Sequence, residues 1–272
     1  MPYPSISIKV AAATGVERDI FTELFADPSS LLVFALIGFA AQMVDGALGM
    51  AFGQISSTLL ISTGVPPAAA SAGVHTAETF TTAVSAISHV AHRNVDWRLF
   101  FRLVIPGVVG GVIGAYVLTI GADQAKPFVL IYLTALGLYL FYRGIMHRHT
   151  EQRPRIVAPL GLVGGFLDAA GGGGWGAIVT SNLLVQGSNP RKTIGTVNTA
   201  EFFLTVTISA TFILTMGLKA FTTATLGLLI GGVLAAPFGA SIAKRVNPDT
   251  LLTFVGALLT LVSMYGLYKA LA

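Results

Sequence analysis

The sequence contains no cysteine and little charge. Without thiols there is no disulfide, no thiolate metal site and no cysteine nucleophile. Charged side chains make up 10% of the 272 residues, against roughly 25% in soluble domains. The five histidines are scattered or lie in loops. Neither a His-Glu-x-x-His pair nor a Gly-x-x-x-x-Gly-Lys-Ser/Thr stretch occurs, which argues against zinc hydrolases and ATP-driven pumps. The N-terminus has no basic start followed by an apolar run and a small-residue cleavage site, so no cleaved signal peptide is expected.

Apolar surface is what the chain has in excess. Hydrophobic residues make up 54% and the mean hydropathy is +0.77. No soluble core of this size needs so much, so the bilayer is the solvent. The net charge of +4 comes from loops. It fits the cytoplasmic preference for Lys and Arg better than it fits nucleic-acid binding.

Four stretches follow. Residues 1–30 are mixed, with Ile20, Phe21, Leu24 and Phe25 on one face of a short amphipathic surface helix. Residues 31–146 form a first transmembrane repeat, 147–156 a basic linker, and 157–272 a second repeat. Residues 38–82 shifted by 123 fall on 161–205 with 15 identities in 45 positions. Asp45 falls on Asp168, Gly49 on Gly172, Gly53 on Gly176, and His75-Thr76-Ala77-Glu78 on Asn198-Thr199-Ala200-Glu201. An internal repeat with polar residues inside apolar runs is a transporter signature.

The first apolar segment of each half, about 31–63 and 157–187, is too long for one span and is interrupted by glycines. It reads either as one long tilted helix, giving eight spans, or as a re-entrant hairpin of two half-helices, giving six spans and two hairpins. Charge discriminates. Arg93, Arg98 and Arg102 flank one loop in the first half, whereas Arg191 and Lys192 flank the non-equivalent loop in the second. If positive loops are cytoplasmic, the halves point in opposite directions, which requires an odd number of crossings each. The expected fold is therefore an all-α integral membrane protein of two inverted repeats. Each repeat is a glycine-broken re-entrant hairpin plus three transmembrane helices, with both termini outside.

Irregular backbone at membrane depth survives only when buried in protein or lining an aqueous cavity. The stretches Asp45–Gly53 and Asp168–Gly176 are thus expected to be hairpin tips meeting near the midplane. The limbs starting near Phe52 and Trp175 would present N–H groups and a positive dipole end, which suits an anion. The expected substrate contacts are Gln42, Gly49, Gly53, Gln54, Ser57, His75, Thr76, Gly172, Gly174, Trp175, Ser181, Asn182, Asn198 and Thr199. The bland alternative is that the glycines let helices pack closely. Asp45, Glu78, Asp168 and Glu201 are costly in a membrane and read as structural or coupling acids. Asp45 and Asp168 could equally cap their own broken hairpins. His75 could donate to an anion, carry a coupling proton or be a satisfied structural histidine.

The paired motifs Gly38-Phe39-Ala40-Ala41-Gln42-Met43-Val44-Asp45-Gly46 to Gly53 and Gly161-Leu162-Val163-Gly164-Gly165-Phe166-Leu167-Asp168 to Gly176 resemble the TauE/SafE sulfite-exporter family, also called the toluene sulfonate uptake permease family. The helices carrying His75 to Glu78 and Asn198 to Glu201 add to the resemblance, which covers about 30–272. It implies secondary transport of a small sulfur oxyanion, sulfite or an organosulfonate such as sulfoacetate, across a bacterial inner membrane. The residues alone reach only a small anion. An anion channel of the same architecture and an intramembrane enzyme are the competing classes. No cofactor is expected, and a coupling proton is preferred to sodium. The expected partners are the anion and lipid, with no nucleic acid; a homodimer is one candidate assembly.

Overall fold

The computed structural model describes residues 28–48, 50–146, 154–180, 182–183, 186, 188–217, 222–243 and 248–271. The expected surface helix, most of the linker, Gly49 and Ser181 lie outside them. Among the described residues all regular structure is helical. The first half contains α1 (Pro28–Leu48), α2 (Phe52–Ser62), α3 (Pro67–Ala91), α4 (Trp97–Ile120) and α5 (Ala122–Ile145). The second contains α6 (Ala158–Gly171), a π-helical turn (Gly176–Thr180), α7 (Pro190–Met216), α8 (Thr223–Ala243) and α9 (Pro248–Leu271).

Local chemistry sets the helix ends. Asp96 caps α4 by accepting from Arg98 N at 2.9 Å and Leu99 N at 3.1 Å. Asn189 accepts from Lys192 N at 3.2 Å, and Pro190 follows at the first helical position, where its missing N–H costs nothing. The glycine breaks stop the first segments. α1 ends at Leu48 and α2 starts at Phe52; α6 ends at Gly171 and the π turn starts at Gly176. The breaks are narrower than the expected nine-residue tips, because Asp45 and Asp168 still lie in the last turns of α1 and α6.

In each half the ends of the broken segment lie together. Ser29, Ser30, Val33 and Phe34 at the start of α1 share a cleft with Thr63, Gly64 and Val65 beyond α2. The Gln186 side chain accepts from Arg155 N and Ile156 N, both at 2.9 Å.

The helices pair across the halves: α1 with α8, α4 with α6, α3 with α7 and α5 with α9. Exchanging the halves leaves this pairing unchanged. α3 and α7 run antiparallel. Lys192 Nζ, near the start of α7, donates to Arg93 O beyond the end of α3 at 2.7 Å. The equivalent residues Thr82 and Thr205 face each other, Oγ1 to Oγ1, at 3.4 Å. α5 and α9 also run antiparallel, with Gly137 against Thr260, Gly256 against Phe141 and Gly266 against Leu130. Glycine makes these close approaches possible. A Cβ on Gly110 would strike Leu162 O of α6, and one on Gly231 would strike Ala35 O of α1.

The outer faces are apolar. Leu36, Ile105, Phe128 and Leu214 are exposed, as expected of helices solvated by lipid. Pro28–Asp45, Trp97–Ile120, Pro127–Ile145 and Lys192–Met216 are long and apolar enough to cross a bilayer. The chain is a multi-pass membrane protein. Buried at its centre, α3 carries Ser71, His75, Thr76, Glu78 and Thr82 on its inner faces.

Candidate functional site at the two glycine tips

The two breaks meet. A Cβ on Gly53 would lie 2.7 Å from Gly173 Cα and 3.0 Å from Glu78 Oε1. Three consecutive glycines, Gly172, Gly173 and Gly174, have φ of 73°, 137° and 149°. Only glycine takes such angles without strain. In the first tip Ala51, the equivalent of Gly174, sits at φ 98°.

Each break is bridged by its acid. Asp168 Oδ1 accepts from Trp175 N at 2.8 Å, and Asp45 Oδ1 accepts from Phe52 N at 3.5 Å. Both bonds span seven residues. The second tip then widens into the π turn, where an ordinary half-helix was expected. A π turn shifts the pairing by one residue, and such turns recur at functional sites.

His75 is fully buried. Its Nδ1 lies 2.8 Å from Ser71 O and its Nε2 lies 3.1 Å from Asp168 Oδ2. A carbonyl only accepts, so Nδ1 carries a proton. Nε2 and the carboxylate then need one more proton between them, on either partner. Ser71, His75 and Asp168 have the residue types of a nucleophilic triad without its geometry. The Ser71 hydroxyl donates to Ala169 O at 2.7 Å, and a protonated Nδ1 cannot accept from it.

Most of the expected donors already have partners. Ser57 Oγ donates to Gly172 O across the tips. Thr76 and Thr199 donate to Ala72 O at 2.7 Å and Gly195 O at 2.6 Å within their own helices. Asn182 donates to Ile178 O at 2.7 Å. Trp175 is buried and its Nε1 donates to Val197 O at 3.2 Å. Gln42 and Gln54 are buried, and Gln42 Oε1 has no partner. Asn198 Nδ2 reaches Ser85 Oγ at 3.4 Å while its Oδ1 has none. Glu78 Oε1 lies against Gly53 of the first tip, and Glu201 is half-buried. No Lys or Arg lies within the described tips.

Sequence reasoning missed Ser71 and Tyr132. Tyr132 of α5 donates to Gly173 O at 3.2 Å, and its ring blocks any Cβ on Gly171 or Gly174. Behind it lies a cavity of about 380 Å³ between α4, α5 and α6, lined by Phe128, Val129, Phe166 and Leu167. A phenol repeated seven residues on, at Tyr139, along the inner face of an apolar helix was the available signal.

The chain is similar to the probable membrane transporter protein YtnM of Bacillus subtilis (strain 168), with 40% identity over 243 residues, covering 86% of this chain and 81% of that protein. No solved structure matches it. The family described as sulfite exporter TauE/SafE matches residues 34–266, which span both glycine tips and the helices behind them. The chain belongs to the sulfite exporter TauE/SafE family.

Proposed function

We propose that this membrane transporter moves a small sulfur oxyanion, sulfite or an organosulfonate such as sulfoacetate, by alternating access. The halves are inverted repeats, and each broken segment is a re-entrant hairpin entering from its own side of the membrane. The antiparallel course of the equivalent helices α3 and α7 supports the inversion. The return of each broken segment to its starting end supports the hairpins.

The observation that carries the reading is the meeting of two glycine tips at Gly53 and Gly173, without a cationic side chain. The anion binds where the tips part, held by backbone N–H groups and by Gln42, Asn198 and neighbouring neutral donors. Each tip dipole supplies about half a positive charge. Fixed dipoles also release an anion more readily than a buried Arg would.

Asp45, Glu78, Asp168 and Glu201 oppose a bare anion whenever they are ionised, so charge has to be compensated as the substrate enters. A proton is the coupling ion in this reading, and the buried His75–Asp168 pair, 3.1 Å apart, supports it.

Uptake into proteoliposomes tests the proposal. Sulfite or sulfoacetate should accumulate against its gradient when a pH gradient is imposed. Uptake that follows sodium and ignores pH removes the proton, and flux that never exceeds equilibrium makes the protein a channel. For topology, Thr63→Cys and Arg155→Cys should label from opposite sides of the membrane; labelling from one side sinks the inversion.

A further inference from the structure

The second tip is docked by five side-chain hydrogen bonds. Ser57 donates to Gly172 O, Ser71 to Ala169 O, Tyr132 to Gly173 O and Trp175 Nε1 to Val197 O, and His75 pairs with Asp168. Four of these come from side chains of the first half.

The internal repeat allows each bond to be looked up at the first tip. The shift of 123 carries Ser57 to Thr180, Ser71 to Ile194, His75 to Asn198 and Trp175 to Phe52. α5 and α9 align at a shift of 126, with Phe128-Val129 on Phe254-Val255, Leu133-Thr134 on Leu259-Thr260, Tyr139 on Tyr265 and Tyr142 on Tyr268. That shift carries Tyr132 to Leu258. Ile194, Phe52 and Leu258 have no side-chain donor. Thr180 Oγ1 has no partner, and Asn198 donates to Ser85 Oγ at 3.4 Å. Among the described residues none of the five bonds has a counterpart. Among these residues, the first tip meets α3 where Gly53 packs on the Glu78 carboxyl group, and it meets the second tip through Ser57. Its own cap is the longer one, 3.5 Å against 2.8 Å.

We propose that the two tips do different work: the first hairpin tip is the moving gate, and the second is a fixed wall. Lifting the second tip would strip partners from Ser57, Ser71, His75, Tyr132 and Trp175 at once, in a region with little water to replace them. Lifting the first breaks the contacts of Gly53 on Gly173 and Glu78 and the Ser57 bond, and leaves the other four bonds in place. The near-symmetric frame thus carries an asymmetric opening. This assignment rests on the alternating-access reading, but its test needs no substrate.

Hydrogen–deuterium exchange of the unsubstituted protein in detergent gives that test. The amides of Phe52–Leu60 should exchange at least tenfold faster than those of Trp175–Leu183. Ser71→Ala combined with Tyr132→Phe should bring the second tip to within about threefold of the first and leave the first unchanged. Equal protection of the two tips in the unsubstituted protein, or faster exchange at the second, overturns the assignment. So does a double variant whose second tip stays protected. Loss of anion uptake in the liposome assay would leave the exchange result standing, and equal exchange would leave the transport reading standing.

Discussion

Asp168 does two jobs at once, and two substitutions separate them. Its Oδ1 holds Trp175 N at 2.8 Å and its Oδ2 faces His75 Nε2 at 3.1 Å. Asp168→Asn keeps an oxygen for Trp175. It also places an NH₂ opposite Nε2, which is free to accept because the ring proton is on Nδ1. Both bonds survive without the extra proton, so the expected loss is that of weakening a charge-assisted bond to a neutral one, about 1 kcal/mol. Asp168→Ala leaves Trp175 N and His75 Nε2 unpaired, both in fully buried residues. At about 1–3 kcal/mol for each orphaned group, the loss is about 2–6 kcal/mol. Thermal unfolding in detergent should therefore rank the wild type above Asp168→Asn by a few degrees and Asp168→Ala far below. Uptake driven by a pH gradient should fail in Asp168→Asn although the protein is folded. If Asp168→Ala were as stable as Asp168→Asn, the cap and the histidine bond would not hold the tip. If Asp168→Asn kept its pH-driven uptake, the proton between His75 and Asp168 would not be the coupled one.

Three further outcomes are expected. Ala51→Gly relieves a positive φ and should stabilise the fold by roughly 1 kcal/mol, less the entropy that glycine adds to the unfolded chain; a lower unfolding temperature would contradict this. Asp96→Ala removes the cap of α4 and should cost about 0.5–2 kcal/mol in thermal unfolding while anion uptake persists. Thr82→Cys with Thr205→Cys should form a disulfide under mild oxidation, because the two hydroxyls are 3.4 Å apart and no native cysteine competes; a free thiol count that stays at two would displace the α3–α7 crossing.

Much of the architecture is legible in the chain itself. An apolar fraction of 54% with 10% charge leaves the bilayer as the only solvent that fits. A 123-residue shift that superposes Asp45 on Asp168 and Glu78 on Glu201 requires two equivalent halves. The glycine runs mark where helices break, because backbone conformation is a local property. The two caps were also within reach, since Asp45 with Phe52 and Asp168 with Trp175 are each seven residues apart in the chain.

Tertiary structure decided the rest. A repeat aligns equivalent residues, whereas the contacts at the tips join inequivalent ones. His75 is equivalent to Asn198 yet meets Asp168, and Ser57 is equivalent to Thr180 yet meets Gly172. Those contacts depend on which helix faces cross, and periodicity within one helix does not carry that information. The same holds for Tyr132, whose role exists only because α5 passes beside Gly173. Thr76 and Thr199 show the limit from the other side. Their spacing made them candidate donors to a ligand, and the helix around them took their protons first, because a carbonyl one turn back is always within reach.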